Sequence, residues 1–272
     1  MTYDPGKAAA YWSEERLSKA RNPLAAVLSF SQPDFVNEAY DIWESSRILE
    51  VLGDLRHKRV ADVACGVGRM AVRLAQAGAA VEAVDIAAGM LERTRAAAEA
   101  AGVADSVSLN MGIATALPLA SQSCDAAICA GLMEHLPSTD REKCLQEIAR
   151  ILVPGGSLAL VVNNAHSDYL SPATDNPYRV GKQYDSGYFC QLVKPEEILE
   201  LLASLGFEAQ KFAANLHYSH LRHHLQLHPE ELAKGEEEMR IALNKDLETS
   251  LHPGDDERFA DHFVLACKLA PR

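Results

Sequence analysis

Residues 58–69, Lys-Arg-Val-Ala-Asp-Val-Ala-Cys-Gly-Val-Gly-Arg, constrain the fold more than any other stretch of this chain. Val60, Ala61, Val63 and Ala64 form a short apolar run interrupted by one acid, Asp62, and read as a buried strand. Cys65-Gly66-Val67-Gly68 then turns the backbone, and Met70 to Ala77 resumes with helical spacing. A strand, a glycine turn and a helix start together bring unpaired backbone N–H groups up against a ligand. Gly66 and Gly68 lack a Cβ, so a ligand can approach the main chain closely. The pattern points to something nucleotide-like.

The glycines alone do not say which nucleotide. Gly66-x-Gly68-x-x-Ala71 fits a loose dinucleotide fingerprint. Asp85 ends a second apolar run, Ala79 to Val84, and lies 17 residues after Gly68. An acid at that place accepts both ribose hydroxyls, which NAD and S-adenosylmethionine (SAM) both offer. Asp62 separates the two, because a carboxylate inside a strand needs partners such as turn amides or a ligand ammonium. SAM carries an amino-acid tail at that end, and NAD has no ammonium there. An acid that merely holds its own loop is the structural alternative.

The sequence here resembles the class I SAM-dependent methyltransferases, of the small-molecule type, over several motifs in order. Asp62-Val-Ala-Cys-Gly-Val-Gly68 is similar to the first motif, with Ala64 where glycine is commoner. Val84-Asp85-Ile86 with Gly89-Met90-Leu91 is similar to the second. Leu117-Pro118-Leu119 and Ser123-Cys-Asp125-Ala-Ala-Ile128 resemble the approach to the fourth strand, and Glu134-His135-Leu136 and Leu152-Val-Pro154-Gly155-Gly156 resemble the signatures that follow. The likeness covers roughly residues 40–212.

The resemblance implies an α/β fold: a Rossmann-like, doubly wound, mostly parallel seven-stranded sheet with helices on both faces and a helical lid or insertion. It implies SAM as cofactor and methyl transfer to an oxygen or nitrogen of a small metabolite or natural-product intermediate. It divides the chain into a helical segment over the cofactor at 1–57, a SAM-binding core at 58–212, a mostly helical insertion at 213–259 and a last core strand at 260–272. Tyr11 and Arg47 are the N-terminal candidates for the methionine end of SAM. The family often has an acid at Ile113 to hold the adenine amino group. Here adenine would rest on apolar contacts from Ile86, Ile113 and Met90 and on the backbone of Ala114.

Independently of any resemblance, residues 58–164 alternate short apolar runs with longer helical patterns, which argues for a parallel sheet covered by helices. Strands are expected near 59–64, 80–85, 106–110, 124–129 and 157–163, and helices at 69–77, 88–101 and 138–152. Lys7 to Ala20 and Phe35 to Leu55 read as helices before the first strand, separated by a loop with Pro23 and Pro33. Lys194 opens a further helix that ends at Gly206, where glycine suits the cap, and Phe207 to Phe212 and His262 to Lys268 read as strands. In open sheets of this kind ligands sit outside the carboxyl ends of the strands. That gathers Ala64, Cys65, Gly66, Gly68, Asp85, Ile86, Gly112, Ile113, Ala114 and Ala130 around one crevice.

Several function classes are disfavoured. A net charge of −12, from 38 acids against 26 Lys and Arg, opposes a nucleic-acid backbone. No apolar run approaches the roughly 20 residues of a membrane span, and no basic segment followed by an apolar core opens the chain, so a cytoplasmic protein is expected. Six scattered cysteines without a Cys-x-x-Cys pair read as reduced core residues.

Residues 164–192 are polar and irregular but carry Tyr169, Tyr178, Tyr184, Tyr188 and Phe189, which suit either a sulfonium or flat acceptor, or the anchoring of a surface loop. Five histidines, 217, 220, 223, 224 and 228, crowd one stretch of the insertion. No Cys or carboxylate stands among them at a recognised ligand spacing, so no metal site is assigned and a solvated or lid-lining face is expected. The same insertion is a possible surface for homo-oligomers. His135, after the fourth strand, is the one general base named, with a structural histidine capping a turn as its alternative. Two rival functions stand: an NADP-linked oxidoreductase, and a SAM-binding scaffold without turnover.

Overall fold

In the computed structural model, residues 3–29, 33–167, 181–215, 260 and 262–271 are described. The histidine cluster, Tyr169, Tyr178 and nearly all of the insertion, including the surface considered for self-association, lie outside these residues.

The chain opens with helix α1 (Pro5–Ala10), a π-helical turn (Tyr11–Glu15) and α2 (Arg16–Lys19), followed by α3 (Pro23–Val27) and the long α4 (Asp34–Leu52). Asp4 caps α1 by accepting from the Gly6 and Lys7 N–H groups. Asn22 does the same for α3 through Ala25, which makes a short helix of the stretch expected as loop. The core then alternates: β1 (Arg59–Val63), α5 (Arg69–Gln76), β2 (Ala80–Asp85), α6 (Ala88–Ala100), β3 (Val107–Met111), β4 (Cys124–Ala130), α7 (Ser138–Ile151) and β5 (Leu152–Asn163). A small hairpin, β6 (Lys182–Gln183) and β7 (Phe189–Cys190), precedes α8 (Pro195–Ser204), β8 (Phe207–Asn215) and β9 (His262–Leu269). The core strand β8 thus runs three residues past the expected boundary at 212.

The seven-stranded sheet has the order β3-β2-β1-β4-β5-β9-β8. β1 to β5 pair in parallel, whereas β9 runs antiparallel to both β5 and β8. This is the doubly wound arrangement expected from the sequence. The two-residue period of β1 shows how the layers form. Ala61 and Val63 face one core, with Leu145 and Ile148 of α7 and Ile198 and Leu202 of α8. Val60 faces the other, with Trp43 and Ile48 of α4 and Met70 and Leu74 of α5. Each such fully buried aliphatic side chain contributes roughly 1.5–3 kcal/mol, so both layers press on the sheet. Strand order reverses between β1 and β4, and that switch point opens the crevice.

β5 begins earlier than the apolar run alone suggests. Leu152 already pairs with Cys124, and Pro154-Gly155-Gly156 sits in a bulge before the regular ladder resumes at Ser157.

Candidate active site

The crevice is a cavity of about 470 Å³ at the carboxyl ends of β1, β2, β4 and β5, roofed by the N-terminal helices. Of the residues anticipated from sequence, Asp62, Ala64, Cys65, Gly66, Asp85, Ile86, Met90, Gly112, Ile113, Ala114, Ala130 and His135 all line it. Three others do not. Gly68 has φ +81°, but the missing Cβ faces Thr94 of α6, with the Thr94 Cα only 2.8 Å from where a Cβ would stand. Its glycine serves the turn and the helix contact instead of ligand approach. Tyr11 is buried against Trp12 and Tyr188. Arg47 pairs with Glu50 at 2.7 Å along α4, away from the cavity.

Among the N-terminal residues that do reach the cavity are Trp12 and Arg16, four apart in the chain. The π-helical turn widens the helix just there and shifts its facing residues, which straight helical spacing could not reveal. Arg16 fixes the roof by donating from Nε to the Ala26 carbonyl at 2.6 Å and from Nη2 to that of Leu28 at 3.2 Å. Its guanidinium lies 5.4 Å from the Trp12 ring.

The turn after β1 is held by Asp85. Its Oδ2 accepts from the Gly66 N–H at 2.9 Å and its Oδ1 from that of Ala87 at 2.9 Å, which locks two glycine- and alanine-rich turns to one carboxylate. Burial raises its pKa, and those backbone donors pull the other way. Each oxygen keeps lone pairs that can still accept from a ligand hydroxyl.

Asp62 is 3% exposed, and its Oδ2 is buried with no hydrogen-bond partner among the described residues. Burial pushes its pKa up to about 7, opposed by the Arg69 charge and the Ala71 N–H and reinforced by Asp85. A native protein rarely keeps such a carboxylate oxygen unsatisfied unless a ligand completes it. Beneath it lies a buried ionic network absent from the sequence reading. Arg69 donates to Asp41 at 3.0 Å and to Glu44, Arg73 donates to Asp41 at 2.5 Å, and Tyr40 donates to Glu44 at 2.9 Å. Arg69 was legible only as the residue closing the glycine turn. Its partners come from a helix 25 or more residues away.

The opposite wall is aromatic. His135 meets Trp12 edge-on at 5.0 Å and Tyr188 at 5.4 Å, and its Nδ1 lies 2.8 Å from the Phe189 carbonyl. A carbonyl only accepts, so Nδ1 carries the proton and the neutral ring leaves Nε2 as an acceptor. Burial lowers the His135 pKa, which keeps the ring neutral. Buried Arg141 of α7 ties this wall together by donating from Nε to the Met133 carbonyl at 2.7 Å and from Nη2 to that of Gln191 at 2.9 Å. Asn163, Glu134 and His262 complete the cavity near Tyr40, and sequence reasoning had singled out none of them as site residues. No cluster of three potential metal ligands occurs among the described residues.

The fold is a doubly wound α/β sheet with its cavity at the switch point, where the unpartnered Asp62 carboxylate and the Asp85 carboxylate both face the open space. A family model described as a methyltransferase domain matches residues 60–156. Methyltransferase GfsG of Streptomyces halstedii is 39% identical over 103 residues, 38% of this chain and 36% of that protein. O-methyltransferase resE of Aspergillus sclerotiorum is 30% identical over 158 residues, 57% of this chain and 56% of its own. The match therefore spans 36% and 56% of these two relatives' own length. Magnesium protoporphyrin IX methyltransferase from Synechocystis PCC 6803, solved with S-adenosylhomocysteine (SAH), shares the fold with a TM-score of 0.61 over 98% of this chain and 100% of that one, at 16% identity. Residues 60–156 are thus similar to a methyltransferase domain, and the fold is one shared with SAM-dependent methyltransferases of known structure. Structures of the Synechocystis neighbour hold SAH or SAM, and the oxidoreductase reading finds no support.

Proposed function

We propose that this protein transfers the methyl group of SAM to an oxygen or nitrogen of a small-molecule metabolite. The observation that carries the proposal is the unpartnered Asp62 Oδ2, buried in the cavity between the Gly66 turn and Asp85. The residues present fit the cofactor. Asp62 would hold the ammonium, Asp85 the ribose hydroxyls, and Ile86, Met90 and Ile113 the adenine faces. When bound, SAM supplies an already activated methyl group, so the protein's task is mainly proximity and orientation.

The rest falls to the chain's own side chains. Trp12, Tyr188 and Leu192 present apolar and aromatic surface that seats a small acceptor and excludes water. For a hydroxyl acceptor, His135 Nε2 takes the proton as the new bond forms, and the Phe189 carbonyl steadies the resulting imidazolium through Nδ1. The similarity to resE, an O-methyltransferase, supports oxygen over nitrogen. Six buried, unbridged cysteines support a reducing compartment such as the cytoplasm, and the acidic balance argues against nucleic acid as acceptor.

Calorimetry with SAH and, separately, NADP tests the cofactor half. Micromolar binding of SAH alone is the expected result, and binding of NADP alone refutes the proposal. His135→Gln tests the base. On a hydroxyl acceptor it should lower kcat by roughly 10²–10⁴-fold while leaving the SAH dissociation constant unchanged. An unaltered kcat removes His135 from the chemistry.

A further inference from the structure

The cofactor does not account for every unsatisfied polar atom in the cavity. Three buried atoms lining it have no hydrogen-bond partner among the described residues: Asp62 Oδ2, Glu134 Oε2 and His262 Nδ1. Asp62 is answered by the cofactor's ammonium, and the ribose hydroxyls by Asp85. Glu134 and His262 are left over. They come from distant parts of the chain, Glu134 from the 3-10 turn after β4 and His262 from the first position of β9, where it pairs in register with Asn163 at the end of β5.

Tyr40 of α4 stands with both. Its ring meets that of His262 edge-on at 5.6 Å, and the Glu134 charge is close enough to add to burial in raising the Tyr40 phenol. The Tyr40 hydroxyl already donates to Glu44, so toward the cavity it offers lone pairs only. Glu134 Oε2 needs a donor, and His262 Nδ1, in the tautomer that carries its proton there, needs an acceptor; both line one cavity and together are complementary to an amphiprotic group. A hydroxyl has both a proton to donate and lone pairs to accept with, whereas an ammonium has no lone pair to offer.

We infer that Glu134 and His262, backed by Tyr40, form a binding subsite for a hydroxyl of the acceptor other than the atom that is methylated. The inference rests on the methyltransferase reading above and narrows the acceptor to a hydroxylated molecule with an apolar or aromatic body. Trp12 and Tyr188 hold that body, and the Glu134–His262 pair sets its orientation toward the methyl group. Both are positioning residues for the acceptor, not bases.

The test uses the full chain saturated with SAH, and compares phenol with anisole by ligand-observed NMR competition. The probes share a ring, and only phenol can donate. Wild type should prefer phenol roughly tenfold, because a site built to bond a hydroxyl rejects the analogue that cannot donate. Glu134→Leu and His262→Phe should each cut that preference to about twofold, and Glu134→Gln, which keeps an acceptor oxygen, should retain part of it. SAH affinity should stay within about threefold in all three, which also reports that they fold. Equal binding of the two probes to wild type, or an unchanged preference in Glu134→Leu and His262→Phe, overturns the subsite. A loss of SAH binding in variants whose circular-dichroism spectrum and melting transition match wild type assigns the two atoms to the cofactor and overturns it as well. If wild type itself fails to bind SAH, the methyltransferase reading falls first and the subsite falls with it.

Discussion

The two walls of the cavity are built on different principles. The cofactor wall is made of backbone: two turns, at Cys65–Gly68 and Ile86–Ala88, tied to Asp85 and braced by the ion pairs of Arg69 and Arg73. The acceptor wall is made of side chains, with Trp12, His135, Tyr188 and His262 drawn from four separate parts of the sequence. Its ring contacts are worth about 0.5–1.5 kcal/mol each. The contrast fits a common division of labour in α/β enzymes, in which a rigid turn binds the shared ligand and exchangeable side chains read the variable one.

The comparison breaks most visibly at Arg69. Replacing it with methionine keeps much of the apolar stem but leaves Glu44 and part of Asp41 as buried carboxylates without their cation. Such uncompensated charges typically cost about 3–5 kcal/mol. Chemical denaturation of Arg69→Met should therefore show a large fall in midpoint with little change in slope. A loss below about 1 kcal/mol would show that the network is solvated and that the cofactor wall is not rigid in the sense argued.

Asp62 gives the next largest effect, and it carries a sign. Its folded pKa, about 7, lies above the ordinary 3.8, so the folded protein binds the proton more tightly than the unfolded chain does. The resulting penalty on stability is absent below pH 3.8, grows as pH rises toward 7, and is full above it. Asp62→Asn should accordingly raise the melting temperature of the ligand-free protein at pH 8 and leave it nearly unchanged at pH 4. The same substitution should weaken SAH by roughly 10- to 100-fold, the range for losing a hydrogen bond to a charged group. In wild type, pairing with the ammonium favours the carboxylate, so SAH affinity should fall as pH drops through 7. A flat calorimetric profile between pH 5.5 and 8.5 would remove Asp62 from the ammonium site.

How much of this was legible follows the same division. The cofactor wall lies within residues 62–90 and 112–114, where strand, turn and helix signals are local, so Asp62, Gly66 and Asp85 could be named from spacing alone. The parallel sheet covered by helices was legible for the same reason, since alternating strands and helices leave few topologies. The acceptor wall depends on pairings that no local pattern encodes. His262 is placed by its register with Asn163, and Trp12 by an irregular helical turn. Arg47, on the helix before β1, was named by resemblance, because an N-terminal helix of similar methyltransferases brings an arginine to the methionine end of the cofactor. The helix presents Tyr40 and Glu44 to the cavity instead, and rotation about a helix axis is what a weakly amphipathic sequence leaves undetermined.

The smallest predicted effect tests whether the cofactor wall stores strain. Ala64 has φ +62°, in the left-handed region that an alanine side chain adopts at a cost of about 1–2 kcal/mol. This is the position at which the sequence departs from the commoner glycine of its motif, and the backbone there shows why glycine suits it. Ala64→Gly relieves the steric cost but gives the unfolded chain about 0.4–1 kcal/mol of extra conformational entropy to lose. The difference should leave the variant up to about 1 kcal/mol more stable, read as a rise of a few degrees in melting temperature for a chain of this size. SAH affinity measured alongside decides what the strain is for. If affinity stays level while stability rises, the alanine is a tolerated defect. If affinity falls as stability rises, the Ala64 methyl group shapes the floor under the cofactor, and the rigid wall owes part of its binding to a backbone held off its minimum.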